Sequence, residues 1–146
     1  IADGEWLHKG TGIASSLGAG TGDNGEADWQ HEDIIRDELL DFTYTEVDQI
    51  YDTNGGSASD VTNALNEGRG IIDYTGHGSN TSWGTTGFSN ANVNDLVNDN
   101  MLPFIISVAC VNGNFTNTTC FGEAWLRATD NSTGAPTGAS QLICLR

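Results

Sequence analysis

Apolar residues along this chain alternate between two periods, and the alternation predicts an ordered series of strands and helices. The run Gly12-Ile-Ala-Ser15 reads as a short strand, and GAGTGDNGEAD (Gly18 to Asp28) after it is turn chemistry throughout. From Gln30 to Phe42 the spacing of Ile34, Ile35, Leu39 and Leu40 predicts an amphipathic helix with acids on the opposite face. Thr45 to Tyr51 returns to strand chemistry, with Val47 and Ile50 expected to point inward. Ser57 and Ser59 offer N-caps to a helix whose Val61, Ala64 and Leu65 share a face, and Gly68 supplies its stop. Gly70 to Tyr74 is a third strand. Ser89 or Asn90 caps a helix carrying Val93, Leu96 and Val97, and Pro103 precedes Phe104 to Ala109, the strongest buried-strand signal in the chain. Phe121 to Ala128 is helical again, with Ala124, Trp125 and Ala128 on one face.

Strands alternating with helices of this length imply βαβ units and an α/β fold: a three-layer αβα sandwich with a mainly parallel central sheet. Ligands of such sheets gather beyond the carboxyl ends of the strands. The third strand runs there into Tyr74-Thr-Gly-His77-Gly78, and the fourth into Ala109-Cys110-Val-Asn-Gly113. No internal repeat or charge block divides the 146 residues, so residues 1–146 are expected to form a single domain core.

Composition narrows the partners. Twenty acids against five Lys and Arg give a formal charge of −15, which repels phosphate backbones and anionic headgroups and favours cations or basic peptides. Nucleic acid is therefore excluded as a partner, although the total charge taken alone describes a solvated surface better than it describes any ligand. No apolar run approaches membrane-spanning length, so no membrane insertion is expected. The opening Ile1-Ala-Asp-Gly-Glu-Trp has neither an initiator Met nor a signal-peptide pattern, as in a processed product or a fragment of a longer catalytic region. Cys110, Cys120 and Cys144 are odd in number and include no C-x-x-C pair, so neither a disulfide framework nor a zinc ribbon is readable.

If the third and fourth strands are parallel neighbours, His77 and Cys110 emerge side by side. A free thiol is mostly protonated at neutral pH, and an adjacent imidazolium favours the thiolate nucleophile and can then protonate a departing amine. The backbone N–H groups of Gly78 and Cys110 would form an oxyanion hole, where one donor is worth about 3 kcal/mol in the transition state. Each motif alone has a plain structural explanation, since a Cys after an apolar strand is usually a small core residue and G-H-G is often just a turn. Their coincidence at adjacent strand ends carries the weight. Cys120 precedes a helix and reads as structural, and Cys144 receives no role. His8 and His31 lie in the N-terminal lead-in and at a helix start, away from the fourth strand's end.

Four segments together resemble the gingipain family of cysteine endopeptidases: DYTGHGSNTSWGTT (Asp73 to Thr86), LPFIISVACVNGNF (Leu102 to Phe115), TGDNGEADWQH (Thr21 to His31) and CFGEA (Cys120 to Ala124). The resemblance implies a caspase-like sandwich, a Cys110–His77 dyad, oxyanion donors at Gly78 and Cys110, and secretion or cell-surface display. It implies Asp28 as an acid at the base of the S1 pocket, suited to bidentate pairing with a guanidinium, and hence protein or peptide substrates cleaved after Arg or Lys. It assigns structural calcium to Glu26 and to His31, the latter through its backbone carbonyl because calcium prefers oxygen, with no cofactor for catalysis. The chain departs from the family at two points. ASSLG (Ala14 to Gly18) has Leu17 where the family has an acid that assists the histidine, so either the dyad works without a third member, another acid such as Asp23 substitutes, or activity is weakened. The end, TGASQLICLR (Thr137 to Arg146), only partly resembles the family's next buried strand. Leu17 keeps a second reading open, a caspase-like binding module without activity. A flavodoxin-like phosphate binder is set low, because no dinucleotide or Walker fingerprint is present and the first loop is acidic.

Overall fold

The computed structural model describes residues 4–116 and 119–145; the first three residues of the opening segment, residues 117 and 118, and the final residue lie outside it. Its strands are β1 (Lys9–Ala14), β2 (Glu46–Tyr51), β3 (Ile71–Thr75), β4 (Gly78–Ser79), β5 (Ser82–Trp83), β6 (Phe104–Val108) and β7 (Gln141–Leu145). The helices are α1 (Asp28–Phe42), α2 (Ala58–Glu67), α3 (Asn90–Asn94) and α4 (Phe121–Arg127). Five strands form one sheet in the order β2-β1-β3-β6-β7, every pair parallel, while β4 and β5 make a separate antiparallel hairpin. The fold is thus the expected α/β sandwich. None of the described helices is long and apolar enough to cross a membrane.

One face of the sheet carries the hydrophobic core. Ile13, Ile50, Ile72, Tyr74 and Ile105 pack there against Val61, Ala64 and Leu65 of α2, Val93 and Leu96 at α3, and Ala124 and Trp125 of α4. Each large apolar side chain fully buried in this way contributes about 1.5–3 kcal/mol. Trp83 is the hub: its ring stacks on Tyr74 at 4.7 Å and meets Phe121 edge-on at 5.2 Å. Ser57 caps α2 as expected, accepting the Asp60 N–H, and Gly68 ends it with φ +106°.

The opposite face differs from the sequence expectation. Only Glu32 of α1 is fully buried, whereas Ile34, expected on the apolar face, is exposed. The reason is the polar character of the sheet beneath. Thr75 donates to Glu32 Oε1 at 2.9 Å, and the Tyr51 hydroxyl donates to Asp33 at 3.1 Å. Gly12 lets the helix approach, since a Cβ there would stand 3.1 Å from Glu32 Oε2. Val47 and Ile50 are both buried, but three positions apart in a strand they face opposite sides of a sheet covered on both. Val97 is exposed because α3 ends at Asn94, before the helical face can reach it. The segment from Thr137 onward does supply a strand: β7 pairs with β6 from Gln141 opposite Phe104 to Leu145 opposite Val108.

Between α1 and the sheet lie two buried carboxyls, with Asp73 Oδ1 and Glu32 Oε2 lacking hydrogen-bond partners among the described residues. Burial raises the Asp73 pKa to about 6, against the opposing pull of His31. Burial, then the Asp73 charge, pushes Glu32 well above the carboxylate range. Both folded-state values are raised, so the protonated forms favour folding. Stability from these groups is fully present below about pH 4, where unfolded carboxylates also hold protons, and is lost as pH rises through the folded values. For Asp73 that window is about pH 4 to 6. Urea unfolding of Asp73→Asn across pH 4 to 7 is expected to show a shallower loss of stability than the native chain, by on the order of 2 kcal/mol; parallel pH profiles would exclude the effect.

Candidate active site

The geometry starts from one register. Thr75 at the end of β3 lies opposite Val108 at the end of β6, and the Gly76 N–H continues the ladder to the Val108 carbonyl at 3.2 Å. Two residues further along each strand stand His77 and Cys110, so parallel pairing delivers both to the same edge of the sheet. Gly78 then presses against the second loop. A Cβ at Gly78 would stand 2.6 Å from the Cys110 carbonyl oxygen and 2.9 Å from Ala109 Cβ, an approach that only glycine permits.

The His77 backbone is clamped. Its carbonyl accepts the Tyr74 hydroxyl at 2.5 Å and the Gly84 N–H at 2.6 Å. The Tyr74 hydroxyl in turn accepts the Thr85 N–H at 3.2 Å. On the other strand, Cys110 is exposed while Cys120 is buried and Cys144 half-buried. Burial, then the neighbouring Cys120, pushes the Cys144 thiol up, which makes it a poor nucleophile. Cys110 is followed by Val111 with φ +55°, a left-handed conformation costing a β-branched residue on the order of 1–3 kcal/mol.

What holds that strained turn is a buried polar chain. Trp83 Nε1 donates to Ser107 Oγ at 2.8 Å, and Ser107 Oγ donates to Asn112 Oδ1 at 3.0 Å. Asn112 Nδ2 then donates to the carbonyls of Ser79 at 2.6 Å and Ser82 at 3.1 Å. Asn112 sits on the Cys110 loop and its two acceptors sit on the His77 hairpin, so one carboxamide fastens the loops together. These residues were not singled out from sequence as functional. The available signals were a serine inside an apolar strand and a tryptophan whose N–H needs a partner once buried.

His77 and Cys110 line a cavity of about 270 Å³ whose wall also includes Asp28, Leu17 and Gly18. Asp28 opens α1 and accepts the Ser15 hydroxyl at 2.5 Å. Gly18, at φ +77°, makes room for it, because a Cβ there would stand 2.3 Å from Asp28 Oδ1. The structure therefore brings three of the residues singled out from sequence, Asp28, His77 and Cys110, to one cavity and sets Gly78 against the Cys110 loop. Leu17 lines the same cavity, 54 % exposed, and Asp23 lies in the exposed part of the preceding loop, outside the cavity wall.

Glu26 and His31 are elsewhere engaged. Glu26 Oε1 meets His31 Nδ1 at 3.0 Å and Oε2 accepts the Asn24 N–H at 2.8 Å. Its own backbone N–H, the His31 imidazole and the Asn24 N–H hold the Glu26 carboxyl below the usual range. Among the described residues no group of three or more His, Cys, Asp or Glu side chains is placed to hold a metal ion. Glu26 and the His31 backbone carbonyl would supply part of the six to eight oxygens that calcium takes, and both Glu26 oxygens are engaged within the chain here.

The sequence profile described as Peptidase family C25 matches residues 2–144. Gingipain R2 of Porphyromonas gingivalis is 45% identical over 140 residues, which is 95% of this chain and 19% of that protein. The chain thus spans about a fifth of the length of this curated relative. Among solved structures, the complex of Porphyromonas gingivalis RgpB pro- and mature domains superimposes with a TM-score of 0.91 at 44% identity, covering 97% of this chain and 33% of that one. The crystal structure of the Arg specific cysteine proteinase gingipain R gives a TM-score of 0.88 at 43% identity, covering 94% and 31%.

Removing the Asn112 carboxamide leaves Ser107 Oγ and two loop carbonyls without their partner. Asn112→Ala is expected to cost about 2–3 kcal/mol in urea unfolding and to slow alkylation of Cys110, as the strained turn relaxes. Unchanged stability and unchanged labelling would show that the two loops hold their places without it.

Proposed function

Because the chain belongs to peptidase family C25, we propose that it carries the catalytic residues of a cysteine endopeptidase that cleaves after a basic residue, with Cys110 as nucleophile and His77 as acid and base. One observation carries this: a histidine and an exposed thiol at the carboxyl ends of paired parallel strands line one cavity with a single carboxylate, Asp28. One of the similar solved structures is that of an Arg specific cysteine proteinase, which agrees with a carboxylate in that place. A secreted or cell-surface setting goes with the same proposal.

The Cys110 thiol gives its proton to His77, and the sulfur attacks the substrate carbonyl carbon. Negative charge collects on the carbonyl oxygen, where the N–H groups of Gly78 and Cys110 stabilise it. Collapse breaks the C–N bond, His77 protonates the departing amine, and the acyl group remains on sulfur as a thioester. Water then attacks the thioester, losing its proton to His77; the C–S bond breaks, His77 returns the proton to the Cys110 sulfur, and the carboxylic acid product departs. Asp28 meets the guanidinium or ammonium of the residue that supplies the carbonyl in a charge-assisted pair.

Leu17 cannot orient an imidazole by charge. Its substitute is backbone rigidity: the doubly bonded His77 carbonyl fixes the loop that presents the ring. The dyad acts without a third side chain.

Cys110→Ala and His77→Ala are each expected to lower kcat/KM by at least about a thousandfold on an arginyl fluorogenic peptide, with the unfolding midpoint little changed; hydrolysis surviving in either variant would remove the dyad. Asp28→Asn is expected to lower kcat/KM for Arg and Lys substrates about a hundredfold while alkylation of Cys110 proceeds as before. Equal losses on basic and neutral substrates would take the specificity role away from Asp28.

A further inference from the structure

A second cavity, of about 250 Å³, opens on the other flank of the Cys110 segment. Ala109 lies in the walls of both cavities, so only the Ala109–Val111 turn separates them. They differ in charge. Where the first holds Asp28, the second is walled by Val111, Phe115, Leu126, Leu142 and Leu145 together with Asn114, with no charged side chain. In a chain of formal charge −15, an uncharged concavity beside the nucleophile is a local departure from the surface around it.

The second cavity leaves apolar surface in water. Phe115 is 68 % exposed, Leu126 53 %, Leu145 46 % and Val111 40 %. An apolar group entering there removes this surface from solvent at about 25 cal/mol per Å². Two glycines keep the back of the cavity shallow enough to stay open: a Cβ at Gly113 or Gly122 would stand 3.4 or 3.6 Å from Cys144 Sγ. Burial keeps that thiol protonated, so the back wall is neutral as well.

We propose that this cavity is the subsite for an apolar side chain of the peptide on the amine side of the cleaved bond. The inference rests on the peptidase proposal above and extends it. If the side chain of the residue giving the carbonyl occupies the Asp28 cavity, the scissile bond lies over Cys110. The chain leaving toward the amine product then passes the opposite flank, over Val111. An apolar residue in its first or second position finds the Phe115, Leu126 and Leu142 walls, whereas a polar isostere gives up more hydration to lie against them.

The test compares peptides with Arg before the cleaved bond and Leu or Asn at the first or second position after it. Asn is neutral and close to Leu in size, which removes the net charge of the protein from the comparison. An arginyl fluorogenic amide, which has no residue on the amine side, reports the chemistry alone. We expect kcat/KM to favour Leu over Asn by about tenfold or more at one of the two positions. Leu126→Gln, on the exposed side of α4, and Val111→Asn, a residue that tolerates left-handed φ, are each expected to shrink that ratio toward one. A ratio near one in the native chain, or a preference that both variants leave intact, with the amide still cleaved, overturns the subsite alone. Failure to cleave the amide as well overturns the peptidase proposal and the subsite with it.

Discussion

The site depends on the parallel pairing of β3 with β6. A single register, Thr75 opposite Val108, decides that His77 and Cys110 stand at the same height on the same edge of the sheet. A slip of one residue would turn every side chain of one strand to the other face and exchange Tyr74 for Asp73 in the aromatic core. Burial of Tyr74, Ile72 and Ile105 therefore fixes the register, and the register fixes where His77 and Cys110 stand. Packing free energy far from solvent thus determines the placement of side chains at the surface.

The two faces of the sheet contribute differently. Around Trp83 the aromatic rings form a rigid, dry layer that also holds the His77 hairpin, because Trp83 belongs to β5 and its partner Gly78 to β4. Under α1 the contact is polar, with Glu32 and Asp73 buried and incompletely paired. Such an interface stabilises less than an apolar one of equal area and weakens as the carboxyls ionise. Its compensation is position: α1 begins at Asp28, and Gly12 and Gly18 let the helix sit close enough to place that carboxylate in the cavity.

Strain is concentrated where the chemistry is proposed. Val111 adopts a left-handed conformation directly after Cys110, and the Trp83–Ser107–Asn112 chain supplies the opposing hydrogen bonds. The turn exposes the thiol and lies between the cavity that holds Asp28 and one without a charged side chain. Rigidity from backbone bonds at His77 also explains how a leucine can stand at position 17 without leaving the histidine loop unsupported.

Periodicity in the sequence was enough to order the main strands and helices, to cap α2 at Ser57, and to bring His77 and Cys110 to one strand edge, because a parallel α/β sheet places loop residues by topology alone. The family motifs added Asp28. The two-residue strands β4 and β5 were beyond reach, since a hairpin that short has no period to detect. Glu32 was read as part of a solvated face and Ile34 as core, because helical spacing cannot say what the sheet beneath offers as a partner. Asn112, Ser107 and Trp83 looked like unrelated residues until folding brought them within hydrogen-bonding distance. What the sequence determined by itself was therefore the order of elements and the candidate dyad, both governed by local periodicity and chain direction. Only the tertiary structure decided which carboxylates are buried, where the backbone is strained and how two cavities share Ala109, because these follow from contacts between segments far apart in the chain.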